Sequence, residues 1–216
     1  MTIIEKFKKF FNNKIDDNKI SIDEHDNKFT NHLKNYLIKI TPLFYKLKLT
    51  PNDITTLGIL FNAFAIYNLI NGEFMVFIFL AILGHLCDIL DGLYARKYNL
   101  TTKFGVYYDR FADWLKLMAL FFAAYVIYRK HVTIFIYILL YIISFMCNIH
   151  YAFKNTLKER QNYKKYEVLK LWTIFLKKVK TKKILQLMRY TNFFDENLSM
   201  FYILLVICYL NYKSSK

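Results

Sequence analysis

The sequence predicts an all-α integral membrane protein: a bundle of about six transmembrane helices, five of which can be placed, after an N-terminal in-plane amphipathic helix. The 216 residues are 56% hydrophobic yet carry a net charge of +15, a combination typical of membrane proteins with basic cytoplasmic loops. Only 5 Gly and 2 Pro are present, too few for the many turns of a β-sandwich or barrel. The basic residues lie between apolar runs, which argues against a nucleic-acid partner.

The chain begins with a polar segment of mixed charge. We interpret residues 1–30 as a polar cytosolic arm and residues 31–212 as the membrane domain. Across residues 30–49, apolar side chains recur at helical spacing between lysines, as in an amphipathic helix that lies in the membrane surface. Thr50 and Pro51 then mark the start of the next helix, because proline is tolerated in the first turn.

Apolar runs long enough to cross a membrane follow this start. Four of them approach or exceed the ~20 residues that span ~30 Å of hydrocarbon, and a fifth is short but uncharged. They cover residues 53–70, 74–94, 104–128, 132–152 and 197–212. A sixth span would have to come from residues 166–175 or 184–194, in a basic stretch whose pieces could instead be in-plane helices.

Positive charge predicts the orientation of this bundle. Residues 1–50 contain 10 lysines and residues 154–189 contain 12 Lys or Arg, whereas the turn at residues 71–73 has none. We therefore expect a multi-pass membrane protein whose N-terminus, 97–103 loop and 154–192 stretch face the cytosol.

Four aspartates lie within or at the ends of the second and third apolar runs, where charged side chains are costly and usually functional. They are Asp88, Asp91, Asp109 and Asp113. Spacings of three and four residues place each pair on one helix face, and on facing helices the four carboxylates would need protons or cations to neutralise them. Such an oxygen-only site suits Mg²⁺ or Mn²⁺. Two such ions can bridge a diphosphate while one carboxylate acts as a general base. The neighbouring 97–103 loop places this predicted site on the cytosolic side.

Small residues and one arginine share the helix face of Asp88. Gly92 and Ala95 would allow close approach of a flat group or of another helix. Arg96, about one turn further on, could reach a phosphate with two hydrogen bonds. Helix packing and a side chain that extends to the membrane interface are the simpler interpretations of these residues.

Together these residues resemble the signature of the class-I CDP-alcohol phosphatidyltransferases. The match runs Asp88-x2-Asp91-Gly92-x2-Ala95-Arg96-x8-Gly105-x3-Asp109-x3-Asp113. The resemblance implies an enzyme of phospholipid biosynthesis, a transferase of substituted phosphate groups. Such enzymes move a phospho-alcohol group, usually phosphatidyl from CDP-diacylglycerol, to the hydroxyl of a small alcohol and release CMP. The resemblance also implies six spans and a homodimer.

The resemblance further implies roles for single residues. Asp88, Asp91 and Asp109, with Asp113, would hold two divalent metal ions, and Asp113 would also be the catalytic base. The residues implied to contact the CDP moiety are Gly92, Ala95, Arg96, Thr102, Asn52 and Thr55.

The acceptor alcohol is not defined by the signature. Many bacterial relatives that make glycerophosphate or inositol-phosphate lipids carry Pro after the third aspartate and Lys after the fourth, where this chain has Arg110 and Trp114. Candidate polar contacts are Arg110, Lys154 and Arg160, with Lys116, Asn148 and His150 as further possibilities. A choline-like acceptor would instead use the aromatic faces of Tyr107, Tyr108, Trp114 and Tyr151. The donor could be CDP-diacylglycerol or a soluble CDP-alcohol such as CDP-choline.

Two other functions stay open at this point. A catalytically inactive relative could act as a membrane scaffold, although all eight signature residues are present. A divalent-cation transporter could also use the aspartate cluster, but it would not need the Gly-x2-Ala-Arg element.

Overall fold

The computed structural model describes residues 28–130, 134–160, 176, 178–194 and 196–215. Within these ranges the chain forms seven α-helices and a short 3-10 helix, Asn192–Phe194, that joins the last two. In order the helices are α1 Lys28–Lys46, α2 Pro51–Ile70, α3 Phe74–Lys97, α4 Lys103–Tyr128, α5 Ile134–Arg160, α6 Thr181–Thr191 and α7 Glu196–Ser214. The predicted all-α class is confirmed.

The chain divides into two compact units. The described part of the first unit is His32–Arg129, which holds most of α1 and all of α2, α3 and α4. The second contains the described residues from Lys130 onward, with α5, α6 and α7, and the first residues of α1. All four signature aspartates therefore lie in the first unit.

Four of the described helices are long and apolar enough to cross a membrane, as the hydropathy pattern predicts. These segments are Pro51–Ile70, Phe74–Lys97, Lys103–Tyr128 and Ile134–Lys154, and a shorter apolar segment is Met200–Ser214. α3 continues three residues beyond its predicted end at Tyr94, because the backbone hydrogen bonds of a helix continue where its side chains become polar. The multi-span architecture is thus confirmed.

The 184–194 candidate for a sixth span falls on α6 and the 3-10 helix. The 11 residues of α6 cover about 16 Å at the helical rise, roughly half of the hydrocarbon core. Its Ile184 and Met188 are buried against Phe153, while Lys182 and Lys183 are exposed. This helix is therefore too short to cross the membrane by itself, and its in-plane placement stays a prediction. The 166–175 candidate and residues 1–27 of the predicted arm lie outside the described residues.

The start of α2 follows the chemistry of its first residues. The Thr50 hydroxyl accepts a hydrogen bond from the Asp53 backbone N–H at 3.3 Å, and the Asp53 carboxylate accepts one from the Thr50 N–H at 2.7 Å. This reciprocal capping box is joined by Pro51 at the first helical position, where its missing N–H costs nothing. The predicted start at residues 50 and 51 is confirmed, and it places Asn52 and Thr55 in the first turns.

α1 is tied to the end of α3 at a proline. Pro42 lies inside α1 and has no N–H for the carbonyl of Ile38, four residues earlier. Lys97 of α3 donates to that carbonyl at 3.0 Å and to the Thr41 hydroxyl at 2.8 Å. The ammonium thus replaces the hydrogen bond that proline removes and joins the amphipathic helix to the helix that carries Asp88.

The turn after α3 positions the two helices of the signature. Asn99 has a φ of +53°, a left-handed conformation that asparagine tolerates better than most residues. The Leu100 N–H donates to the Ala95 carbonyl at 2.8 Å and the Asn99 N–H to the Arg96 carbonyl at 3.3 Å, the two bonds of a Schellman motif. Three residues later Thr102 caps α4, so the chain reverses within a short loop.

α2 and α3 approach each other closely at two glycines. A Cβ at Gly84 would lie 2.1 Å from Asn62 Nδ2 and 3.1 Å from the carbonyl oxygen of Gly58. Asn62 is itself held there, because its Nδ2 donates to the Gly58 carbonyl at 2.8 Å. Small residues at this crossing therefore set the distance between the two helices.

Gly84→Ala is expected to lower the free energy of unfolding by about 1–3 kcal/mol, because the new methyl group overpacks the crossing. Chemical denaturation in detergent micelles would measure this change. Adding Asn62→Ala should recover part of the loss, and Asn62→Ala alone completes the double-mutant cycle. Wild-type stability of Gly84→Ala would contradict the close approach.

Candidate metal and nucleotide site

Three of the four aspartates meet between α3 and α4. Each of Asp88, Asp109 and Asp113 offers a carboxylate oxygen, and these oxygens all lie within 4.8 Å of one another. Asp88 comes from α3, while Asp109 and Asp113 lie one turn apart on the same face of α4. One member of the first pair and both members of the second thus converge from facing helices.

The donor set of this cluster fits a hard divalent cation. All its ligand atoms are carboxylate oxygens, which Mg²⁺ and Mn²⁺ prefer. Three negative charges this close together repel one another unless a cation lies among them. No metal identity follows from the geometry, but the residues present match the chemistry of a magnesium or manganese site.

Asp91 lies beside this group rather than within it. Its side chain is buried, with 4% of the residue exposed, and it accepts a hydrogen bond from the hydroxyl of Thr55 on α2. Thr55, expected to contact the nucleotide, is thus also a partner of the second aspartate. The group of three oxygens that could hold an ion does not include Asp91, so its role as a metal ligand stays a prediction.

Arg96 folds back along α3 over Gly92. Two of its guanidinium nitrogens lie 3.4 and 3.5 Å from the position that a Cβ at residue 92 would take. Ala95 beside them is buried. The small residues therefore leave room for the guanidinium on the helix face that carries Asp88, and a larger side chain at residue 92 would displace it.

A second group of predicted residues meets at the start of α4. A Cβ at Gly105 would lie 3.1 Å from Thr102 Oγ1 and 3.2 Å from Asn52 Oδ1. Thr102 is the N-cap of α4 and accepts from the Gly105 N–H at 3.0 Å. One glycine thus brings together Asn52 of α2 and Thr102 of the loop, two of the residues predicted to contact the nucleotide.

Lys116 has a role that the sequence interpretation did not give it. Expected only as an acceptor contact, it forms an ion pair with Asp88 and, at 2.8 Å, with Asp113. Its position seven residues after Asp109 and three after Asp113 places it on the aspartate face of α4, a signal that the sequence carried.

The remaining acceptor candidates are spread over both units. Arg110 follows Asp109 on α4 and is partly buried, whereas Lys154 and Arg160 belong to α5 in the second unit. Lys154 is buried. His150 is 1% exposed, and its Nδ1 forms a hydrogen bond with Thr191 Oγ1 at 3.0 Å. Their contact with an acceptor stays a prediction.

Comparison with known proteins identifies the family. The family model for CDP-alcohol phosphatidyltransferase matches residues 48–210. An uncharacterised protein of Aquifex aeolicus (strain VF5) is 34% identical over 99 residues, which cover 42% of this chain and 50% of that protein. The chain thus spans about half the length of this curated relative. No solved structure matches the chain. Because the family model covers well over half of the chain, including every signature residue, the chain belongs to the CDP-alcohol phosphatidyltransferase family.

Proposed function

We propose that this protein transfers a phospho-alcohol group from a CDP-alcohol to the hydroxyl of a small alcohol and releases CMP, as a step of phospholipid biosynthesis. We favour CDP-diacylglycerol as the donor, which would make the transferred group phosphatidyl. The observation that carries the proposal is the convergence of three carboxylates within 4.8 Å, in a chain of this family.

The donor would bind along α3 and the start of α4. Arg96, folded over Gly92, is suited to bind a phosphate of the diphosphate through its parallel N–H groups. Gly92 and Ala95 add little bulk, so a flat group can approach the helix. Asn52 and Thr102, which meet at Gly105, would supply polar contacts to the nucleotide, with Thr55 next to Asp91.

The cation would be held by Asp88, Asp109 and Asp113, with Asp91 beside them, and we propose two Mg²⁺ or Mn²⁺ ions. When bound, they would neutralise negative charge on the diphosphate and on the departing CMP. The chain contributes the oxygen ligands and holds them on two packed helices.

Asp113 is proposed to take the proton from the acceptor hydroxyl. The acceptor oxygen then forms a bond to the β-phosphorus of the donor, the bond from that phosphorus to the bridging oxygen breaks, and CMP leaves with the bridging oxygen. The Asp113 side chain is 51% exposed, compared with 23% for Asp88. This exposure suits a base that has to meet an acceptor arriving from outside the cluster.

The proposed function also includes residues that bind the acceptor, a membrane orientation and an oligomeric state. Arg110, Lys154 and Arg160 are proposed to bind a phosphorylated acceptor, since guanidinium and ammonium groups pair with phosphate. Basic residues before α2 and after α5 support a cytosolic N-terminus and active site. The protein would contact membrane lipids and act as a homodimer.

Purified protein in nanodiscs is expected to release CMP from labelled CDP-diacylglycerol only when an acceptor alcohol and Mg²⁺ or Mn²⁺ are both present. The panel would include glycerol 3-phosphate, inositol phosphate, inositol, serine and choline, with CDP-choline plus diacylglycerol as a parallel donor arm. EDTA should abolish release, and excess Mg²⁺ or Mn²⁺ should restore it.

The same assay separates the other two functions. A scaffold would release no CMP with any pair of donor and acceptor, in protein that is folded by its thermal melting. A transporter would move Mn²⁺ into vesicles without turnover of a CDP-alcohol. Either result would overturn the proposal.

A further inference from the structure

Lys116 is a partly buried cation among the aspartates. Its side chain is 14% exposed, and its Nζ pairs with Asp88 across the helix interface and with Asp113 on its own helix. Both partners belong to the cluster whose oxygens converge within 4.8 Å. One ammonium therefore links two of the three carboxylates proposed to hold the metal.

The position of Lys116 along α4 argues against an interfacial anchor. α4 runs from Lys103 to Tyr128 and is apolar enough to cross a membrane. Residue 116 lies about 20 Å from the start of the helix at the helical rise, near its middle, where a charged side chain is costly. Lysines that extend to the interface stand near helix ends, so the aspartates are the better explanation of this charge.

A divalent cation and the ammonium would use the same oxygens. A metal ion bound by Asp88 and Asp113 would meet the positive charge of Lys116 at close range, and like charges at that distance repel each other. Each carboxylate oxygen that faces the ammonium is also less available as a ligand. Binding of the divalent cation and pairing of the Lys116 ammonium therefore disfavour each other at Asp88 and Asp113.

We propose that Lys116 is a positioning residue that competes with divalent cations for Asp88 and Asp113. At low cation concentration it holds the two carboxylates, and with them α3 and α4, together. When the cation concentration rises, the ammonium gives up these oxygens, so Lys116 sets the concentration at which the cluster fills. This inference rests on the metal site of the proposed function.

Lys116→Met keeps the length of the side chain and removes its charge. We expect this variant to bind Mn²⁺ at least about tenfold more tightly than the wild type, measured by the loss of the free Mn²⁺ resonance signal on titration in detergent. In EDTA it should melt at a lower temperature than the wild type, and saturating Mn²⁺ should remove or reverse that difference. Lys116→Arg should behave like the wild type in both measurements.

Lys103→Met is the matched control, because Lys103 is an exposed lysine on the same helix, and it should leave Mn²⁺ binding unchanged. A merely structural ion pair would lower the melting temperature equally with and without Mn²⁺. Unchanged or weaker Mn²⁺ binding by Lys116→Met would overturn the inference, as would the absence of Mn²⁺ binding in both proteins.

A second variant and a readout without a CDP-alcohol keep the test decisive. If Lys116→Met unfolds in EDTA, Lys116→Gln purified with Mn²⁺ should need at least about tenfold more EDTA than the wild type to release the ion. Equal EDTA would overturn the inference. Neither measurement uses a CDP-alcohol, so a wild type that binds Mn²⁺ but releases no CMP would refute the proposed reaction and leave the inference standing.

Discussion

Asp113→Asn is expected to lower the rate of CMP release by about 10²–10⁴-fold, the contribution typical of a general base. Asparagine keeps the shape of the side chain but cannot take a proton from the acceptor hydroxyl. The variant should stay folded, because the Asp113 side chain is 51% exposed. Single-turnover CMP release with saturating Mn²⁺ and donor would measure the effect on the chemical step.

Activity at saturating Mn²⁺ separates a base from a ligand in this experiment. If Asp113 acts mainly as a base, CMP release by Asp113→Asn should stay low even at saturating Mn²⁺, whereas loss of a ligand alone would be overcome by more metal. Glu73→Gln is a suitable control, since Glu73 is exposed in the turn between α2 and α3 and should leave the rate unchanged. Full activity of Asp113→Asn would remove this residue from the mechanism.

Asp91→Asn is expected to raise the Mn²⁺ concentration for half-maximal activity and to lower CMP release by about 10²-fold or more. Asp91 is 4% exposed and contributes a negative charge beside the three converging carboxylates. Thr55→Val removes the hydroxyl that donates to Asp91 without changing the volume, so a smaller loss of about tenfold should follow. Metal titrations of the activity would compare the two variants.

Thr56→Val is the control for these substitutions. Thr56 is the next residue on α2, and its exposed hydroxyl lies 2.9 Å from Tyr108 Oη, whereas the Thr55 hydroxyl donates to Asp91. The activity of Thr56→Val should stay within about threefold of the wild type. This loss is smaller than the one expected when a side chain that supports a metal ligand is removed. Near-normal activity of Asp91→Asn at low Mn²⁺ would instead show that Asp91 is a packing residue.

The helices were predictable because a membrane span leaves a long apolar run in the sequence. The runs at 53–70 and 104–128 differ by at most two residues at each end from α2 and α4. The end of α3 was less predictable, since Arg96 and Lys97 are polar although they continue the helix. α6 could not be assigned from hydropathy, because a short amphipathic helix and a weak span have similar average composition.

Helical periodicity predicted which site residues share a helix face, but not the contacts between helices. Spacing alone placed Asp109 and Asp113 on one face, and the signature gave the family. Contacts between helices depend on how each helix is rotated about its axis, which a single sequence does not reveal. For that reason the bond from Thr55 to Asp91 and the pair of Lys116 with Asp88 became visible only in the structure.

The ion pair between Lys116 and Asp88 also has a consequence for biogenesis. A single charged side chain at the centre of a helix costs about 2.5–3.5 kcal/mol when that helix leaves the translocon for lipid. Asp88 of α3 and Lys116 of α4 carry charges of opposite sign within these helices, and a short loop joins the two helices. The two helices therefore enter the bilayer at a lower cost as a paired hairpin than one after the other.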